Sequence, residues 1–131
     1  IKSVLSTYGF GGLGNKVYFW GAPGNGNWGL WSTDGTTAGT QPLVDLWTGG
    51  PTTTLTRSGN LLYFVQSDAV NGTELWRTDG TVAGTFVLKD INPGSSTSDP
   101  RNLTDVNGVL YFSAFDATSG VRLWKTDGTT A

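Results

Sequence analysis

Glu74-Leu75-Trp76-Arg77-Thr78-Asp79-Gly80-Thr81-Val82-Ala83-Gly84-Thr85 decides the fold, because the chain writes its landmarks more than once. Leu-Trp recurs at Leu30-Trp31 and Leu123-Trp124, and Thr-Asp-Gly-Thr at Thr33-Asp34-Gly35-Thr36 and Thr126-Asp127-Gly128-Thr129. Ala-Gly-Thr closes the motif at Ala38-Gly39-Thr40 as well as at Ala83-Gly84-Thr85. Upstream of each copy stands an apolar-Tyr-Phe triplet: Val17-Tyr18-Phe19, Leu62-Tyr63-Phe64 and Leu110-Tyr111-Phe112. Trp31, Trp76 and Trp124 are spaced 45 and 48 residues apart. A period of about 40–50 residues is that of a propeller blade, one supersecondary unit that buries its faces only against its neighbours.

Within a copy the pattern is strand, turn, strand, turn. Asn107-Gly108 favours positive φ and marks a tight hairpin. Val109-Leu110-Tyr111-Phe112-Ser113-Ala114 is β-branched and aromatic and reads as a strand. After the turn at Thr118-Ser119-Gly120 comes Val121–Thr126, with Val121, Leu123 and Lys125 on one face and Arg122 and Trp124 on the other. Thr85–Ile91 supplies a further strand in the middle copy, ended by Pro93-Gly94. No window has helical periodicity. The expected fold class is all-β: β-propeller blades, about three four-stranded antiparallel blades in a single domain, at approximately residues 10–54, 55–102 and 103–131. Ile1–Ser6 has the apolar-polar mix of Phe86–Lys89 and is expected to serve as a displaced last strand, pairing with 121–126 of its own chain or of a neighbour.

Composition excludes whole reaction classes. The 131 residues contain no Cys, Met or His, so there is no thiol nucleophile, Ser-His-Asp triad, zinc finger, usual haem ligand or disulfide. Net charge is -2 with eight scattered Lys and Arg, which argues against a nucleic-acid surface. No apolar run approaches the ~18 residues of a membrane span. No basic stretch followed by an apolar run opens the chain, so no signal peptide is read; starting at Ile1, it reads as a processed form or a piece of something longer. Twenty Gly, about twice the usual share, fall largely at turns.

Residues 74–85 resemble the ELWxxDGTxxGT repeat of large bacterial surface and secreted proteins, and Val87–Gly94 and Asn107–Phe112 fit the same pattern. The resemblance covers residues 14–131 and implies blades similar in layout to kelch, WD40 and TolB-type repeats, an extracellular or cell-surface location, and no catalytic residues. Copy one departs from it: Gly29 stands at the position of Glu74, and Gln41–Leu46 replaces Phe86–Ile91.

A Trp recurring once per blade is expected to pack between blades, and so is the Tyr of each triplet. Asp34, Asp79 and Asp127 are read as turn formers, each carboxylate accepting backbone N–H groups two residues on. No cofactor is expected; calcium is the competing use of these acids, with Asp68 and Asp116 as helpers, but it needs ~6–8 oxygens and no EF-hand spacing is present. Carboxylate-pair glycoside hydrolysis is a weaker reading, because the acids recur with the blades and Glu74 is the sole Glu. Asn71-Gly72-Thr73 and Asn102-Leu103-Thr104 are glycan acceptors only in a eukaryotic secreted setting.

Symmetry leaves Trp20, Trp28 and Trp47 unexplained, with Tyr8 upstream and Asn25 and Asn27 in a Gly-rich stretch. These six residues form the candidate ligand site, an aromatic cluster for sugar rings or a protein contact; the competing reading is that they fill a blade or subunit interface. The functional expectation is a non-enzymatic binding or scaffold module mediating protein interaction or self-assembly; the alternative is a carbohydrate-binding, lectin-like propeller with a glycan partner. At ~47 residues per blade the chain holds roughly 2.8 blades, whereas propellers close with about 4–8. The ring is therefore expected to be completed by a homo-oligomer, a six-bladed dimer being favoured, or by the remainder of a longer propeller.

Overall fold

The computed structural model describes residues 6–22, 28–45 and 54–130. Among them the chain is strand and turn, with no helix. The strands form three antiparallel sheets. The first holds β1 (Ser6–Leu13), β2 (Lys16–Ala22), β3 (Gly29–Thr33) and β4 (Gln41–Asp45) in that spatial order. The second holds β5 (Thr56–Ser58), β6 (Leu61–Asp68), β7 (Gly72–Thr78) and β8 (Phe86–Lys89), likewise in order. The third has β9 (Arg101–Val106), β10 (Val109–Asp116) and β11 (Gly120–Thr126). Sequential strands are neighbours throughout, the simplest solution for short strands joined by tight turns. Asn107 and Gly108 both have positive φ, 53° and 83°, as the expected two-residue hairpin between β9 and β10 requires.

The three sheets are built to one register. Phe19 pairs with Trp31, Phe64 with Trp76 and Phe112 with Trp124. Even an irregularity is shared: the pairing slips between Leu30 and Trp31 in the first sheet and between Leu75 and Trp76 in the second, each time against the last strand. Strand β5 lies against both β1 and β9, so the first strands of the sheets line up side by side.

Alternation along the central strands explains why they are apolar at consecutive positions: each face meets a different neighbour. Leu62 and Phe64 of β6 join Tyr18, Trp20 and Leu30 in a core between the first and second sheets. Tyr63 and Val65 of the same strand turn the other way and join Leu110, Phe112 and Ala114 between the second and third. Trp76 packs on the first core and Trp124 on the second, as expected for these two of the three repeated Trp.

The first sheet begins at Ser6 and the third at Arg101, near the approximate starts of 10 and 103. One expectation needs correction. Ser6 pairs with Ala22 of β2, so it belongs to the first sheet and not beside 121–126; residues 1–5 lie outside the described ones. The third sheet has three strands among the described residues, and Leu123 on its last strand is 76% exposed where its counterpart Leu75, packed in the core between the second and third sheets, is 1% exposed.

Candidate functional site

The Asp-Gly-Thr segments form the same hydrogen-bonded turn three times. Asp34 Oδ1 accepts the Thr36 N–H at 2.9 Å and the Thr36 hydroxyl at 2.8 Å. Asp79 and Thr81 repeat this at 2.9 and 2.7 Å, and Asp127 and Thr129 at 2.9 and 2.8 Å. The preceding Thr accepts from the Gly N–H, Thr33 from Gly35 and Thr78 from Gly80, both at 3.0 Å. The second Gly of the motif has its own reason: its N–H donates to the Thr hydroxyl (Gly84 to Thr81, 2.9 Å), and a Cβ at Gly39 or Gly84 would collide with the Asp carboxylate. The last Thr of the motif closes the loop, Thr85 Oγ1 donating to the Thr81 carbonyl at 2.6 Å. Asp68 and Asp116 serve their own hairpins, Asp68 Oδ1 accepting from Val70 and Asn71 and Asp116 Oδ1 from Thr118 and Ser119. Among the described residues no three acidic side chains converge into a cation site.

These bonds favour the charged carboxylate. The N–H and hydroxyl of Thr36 hold Asp34 below the usual carboxylate range, those of Thr129 do so for Asp127, and the hydroxyl and N–H of Thr81 for Asp79. A lowered folded-state pKa contributes stability above the unfolded value of about 3.9, and that stability is lost as pH falls through the folded value. Unfolding is therefore expected to ease below about pH 4. Asp79→Ala should remove both bonds and lower stability by about 1–2 kcal/mol at pH 7, read from urea unfolding, with a smaller loss for Asp79→Asn.

Two of the three turns, at Gly80 and Gly128, also meet the neighbouring sheet. The Tyr18 hydroxyl of the first sheet sits where a Cβ on Gly80 of the second would be. Tyr63 of the second sheet covers Gly128 of the third in the same way, its hydroxyl 2.7 Å from the position of a Cβ. Arg77 Nη1 adds a 2.8 Å hydrogen bond to the Gly128 carbonyl, its guanidinium lying 4.5 Å above the Phe86 ring. Burial and then the Asp79 charge push Tyr18 up; burial, with a smaller push from Asp127 against the pull of Arg77, takes Tyr63 to about 12. The repeated Tyr is therefore a neutral plug over the next sheet's glycine, a close approach that an L side chain at +93° φ could not permit.

Glu74 is the second feature built by tertiary contact. Its side chain is fully buried near the start of β7 and gathers the connection to β9. Oε2 accepts from the Ile91 N–H at 3.3 Å and the Ser98 hydroxyl at 2.5 Å, and Oε1 from the Asn92 N–H at 3.3 Å. The adjacent Thr73 carbonyl takes the Ser98 and Asp99 N–H groups, and Ser98 in turn accepts the Phe115 N–H of β10 at 2.7 Å. A fixed path from the second sheet to the third follows. The signal available in the sequence was that Glu74 does not recur, Gly29 and Arg122 holding its place.

The expected ligand residues do not assemble into one described site. Trp20 is fully buried, its ring edge-on to Phe64 at 5.1 Å between centroids. A ring with no exposed face offers nothing to a sugar, so the ligand role expected for Trp20 is replaced by packing between sheets. Trp28 is half-buried against the same core. Tyr8 lies in β1, its backbone paired with that of Trp20; Asn25, Asn27 and Trp47 fall outside the described residues.

Comparison of the chain with protein-family models, with curated proteins and with solved structures gave no match.

Proposed function

We propose that the chain is a non-enzymatic β-propeller module of a bacterial surface or secreted protein, and that it binds protein partners, a second copy of itself first among them. The observation that carries this reading is the repeated sheet-to-sheet junction. Two junctions are made inside the chain by the same Tyr-over-Gly contact, and an array of this kind ends in uncovered faces unless it closes on itself. Both ends are apolar: Phe10 and Val17 are exposed on the first sheet, Val121 and Leu123 on the third. Two copies of a three-sheet array would supply six blades, within the range that closes a ring. The acids support a structural assignment, since Asp34, Asp79 and Asp127 are engaged in their own turns and Glu74 is enclosed.

Sedimentation velocity of the 131-residue chain over a concentration series tests the reading. The expected result is a discrete species with the mass of two chains. A folded chain that stays monomeric at high micromolar concentration would count against self-association as its role.

A further inference from the structure

We propose that two copies join by seating the Asp34-Gly35-Thr36 turn of one copy on Tyr111 of the other, so that the junction used twice within the chain is used again between chains. The inference rests on the self-association reading and specifies its contact surfaces.

The junction between the second and third sheets defines what a complete seat contains. Leu61, Tyr63 and Arg77 supply it, and the Asp127-Gly128 turn is its occupant. One unit along the chain, the corresponding positions are Val109, Tyr111 and Lys125. Those three side chains line one open cavity of about 330 Å³ on the far face of the third sheet. Each keeps the chemistry of its counterpart: an aliphatic wall, a phenol and a cation. The difference is cover. Tyr18 and Tyr63 are buried beneath the next sheet's turn, whereas Tyr111 is half-exposed and Lys125 exposed.

The missing occupant is present at the other end of the chain. Gly35 has the same φ of +93° as Gly80 and Gly128, and its turn has the same Asp–Thr bonds. Gly80 and Gly128 are each covered by a Tyr, but a Cβ at Gly35 would meet nothing within 4 Å. Around it the first sheet presents Phe10, Val17 and Phe19, an apolar face suited to meet the third sheet of another copy. Seat and turn lie on opposite ends of one chain, so the contact is head to tail, and two copies can satisfy both ends only by closing. Lys125 is then placed to donate to the Gly35 carbonyl, as Arg77 does to that of Gly128.

Two variants test this, each compared with the parent by sedimentation. Tyr111→Ala empties the seat. Gly35→Asn places there the L residue that takes positive φ most readily, at a cost in backbone strain that its melting point reads; open space surrounds it in the isolated chain, but its side chain would strike Tyr111 of the partner. Each variant alone is expected to weaken dimerisation by about tenfold or more, since a Tyr anchor carries a large share of such a contact. Mixing the two should restore a mixed dimer, because one intact seat then meets one intact turn. Unchanged circular dichroism and a cooperative melt of each variant separate loss of contact from loss of fold. Parent-like dimers from both variants would overturn this inference while leaving self-association standing, as would a mixture that fails to recover. A monomeric parent would overturn both.

Discussion

Trp20→Ala is expected to abolish stable folding or leave a chain weakened by about 3–5 kcal/mol, the range for emptying a buried aromatic site. The indole is fully buried and lies between Tyr18, Leu30, Leu62 and Phe64, so truncation opens a void between two sheets and not at a surface that can collapse. It also removes the edge-to-face contact with Phe64, worth about 0.5–1.5 kcal/mol beyond area. Against a total of about 5–15 kcal/mol for a domain, that loss takes most of the margin. Thermal unfolding followed by circular dichroism measures it. A variant that melts with the parent would return Trp20 to the surface and to ligand binding. Trp28→Ala, at a half-buried ring, should cost less.

What the sequence disclosed and what it concealed divide by the range of the interactions. Thr78-Asp79-Gly80-Thr81 reads directly as a turn because its donors and acceptors lie within a few residues of one another. Asn107-Gly108 is legible for the same reason. The number of sheets followed from the spacing of Trp31, Trp76 and Trp124. Trp20 was misleading because Val17-Tyr18-Phe19-Trp20 is apolar at every position: one face of this central strand packs on the second sheet and the other is apolar as well, so no alternation tells an enclosed ring from an offered one. The Tyr seat and the Glu74 clamp were hidden differently. Tyr63 meets Gly128, and Glu74 meets backbone N–H groups of residues 91 and 92; a glycine's missing Cβ and a main-chain donor leave no mark that names a distant partner.

Glu74→Ala should cost about 3–5 kcal/mol through a different mechanism. It leaves the Ile91 and Asn92 N–H groups and the Ser98 hydroxyl without their acceptor, each orphaned buried donor costing about 1–3 kcal/mol. The damage should spread along the path, since Ser98 also receives Phe115 of β10; hydrogen exchange at residues 91, 92 and 115 is expected to quicken ahead of that in β6. Glu74→Gln separates charge from hydrogen bonding. Burial pushes the carboxyl up, against the opposing effect of Ser98, Ile91 and Asn92. A raised folded-state pKa contributes stability that is complete below the unfolded value of about 4.3 and is lost as pH rises through the folded value. This is opposite in sign to Asp34, Asp79 and Asp127, whose contributions fade toward acid. Gln carries no such titration, and its amide nitrogen turns a donor toward a backbone donor, so the variant should be the less stable throughout. The gap between parent and Glu74→Gln should be widest in acid and narrow toward neutrality in urea midpoints taken from pH 4 to pH 7. A gap that widens instead would mean that the three hydrogen bonds outweigh burial and that Glu74 is held as the ion.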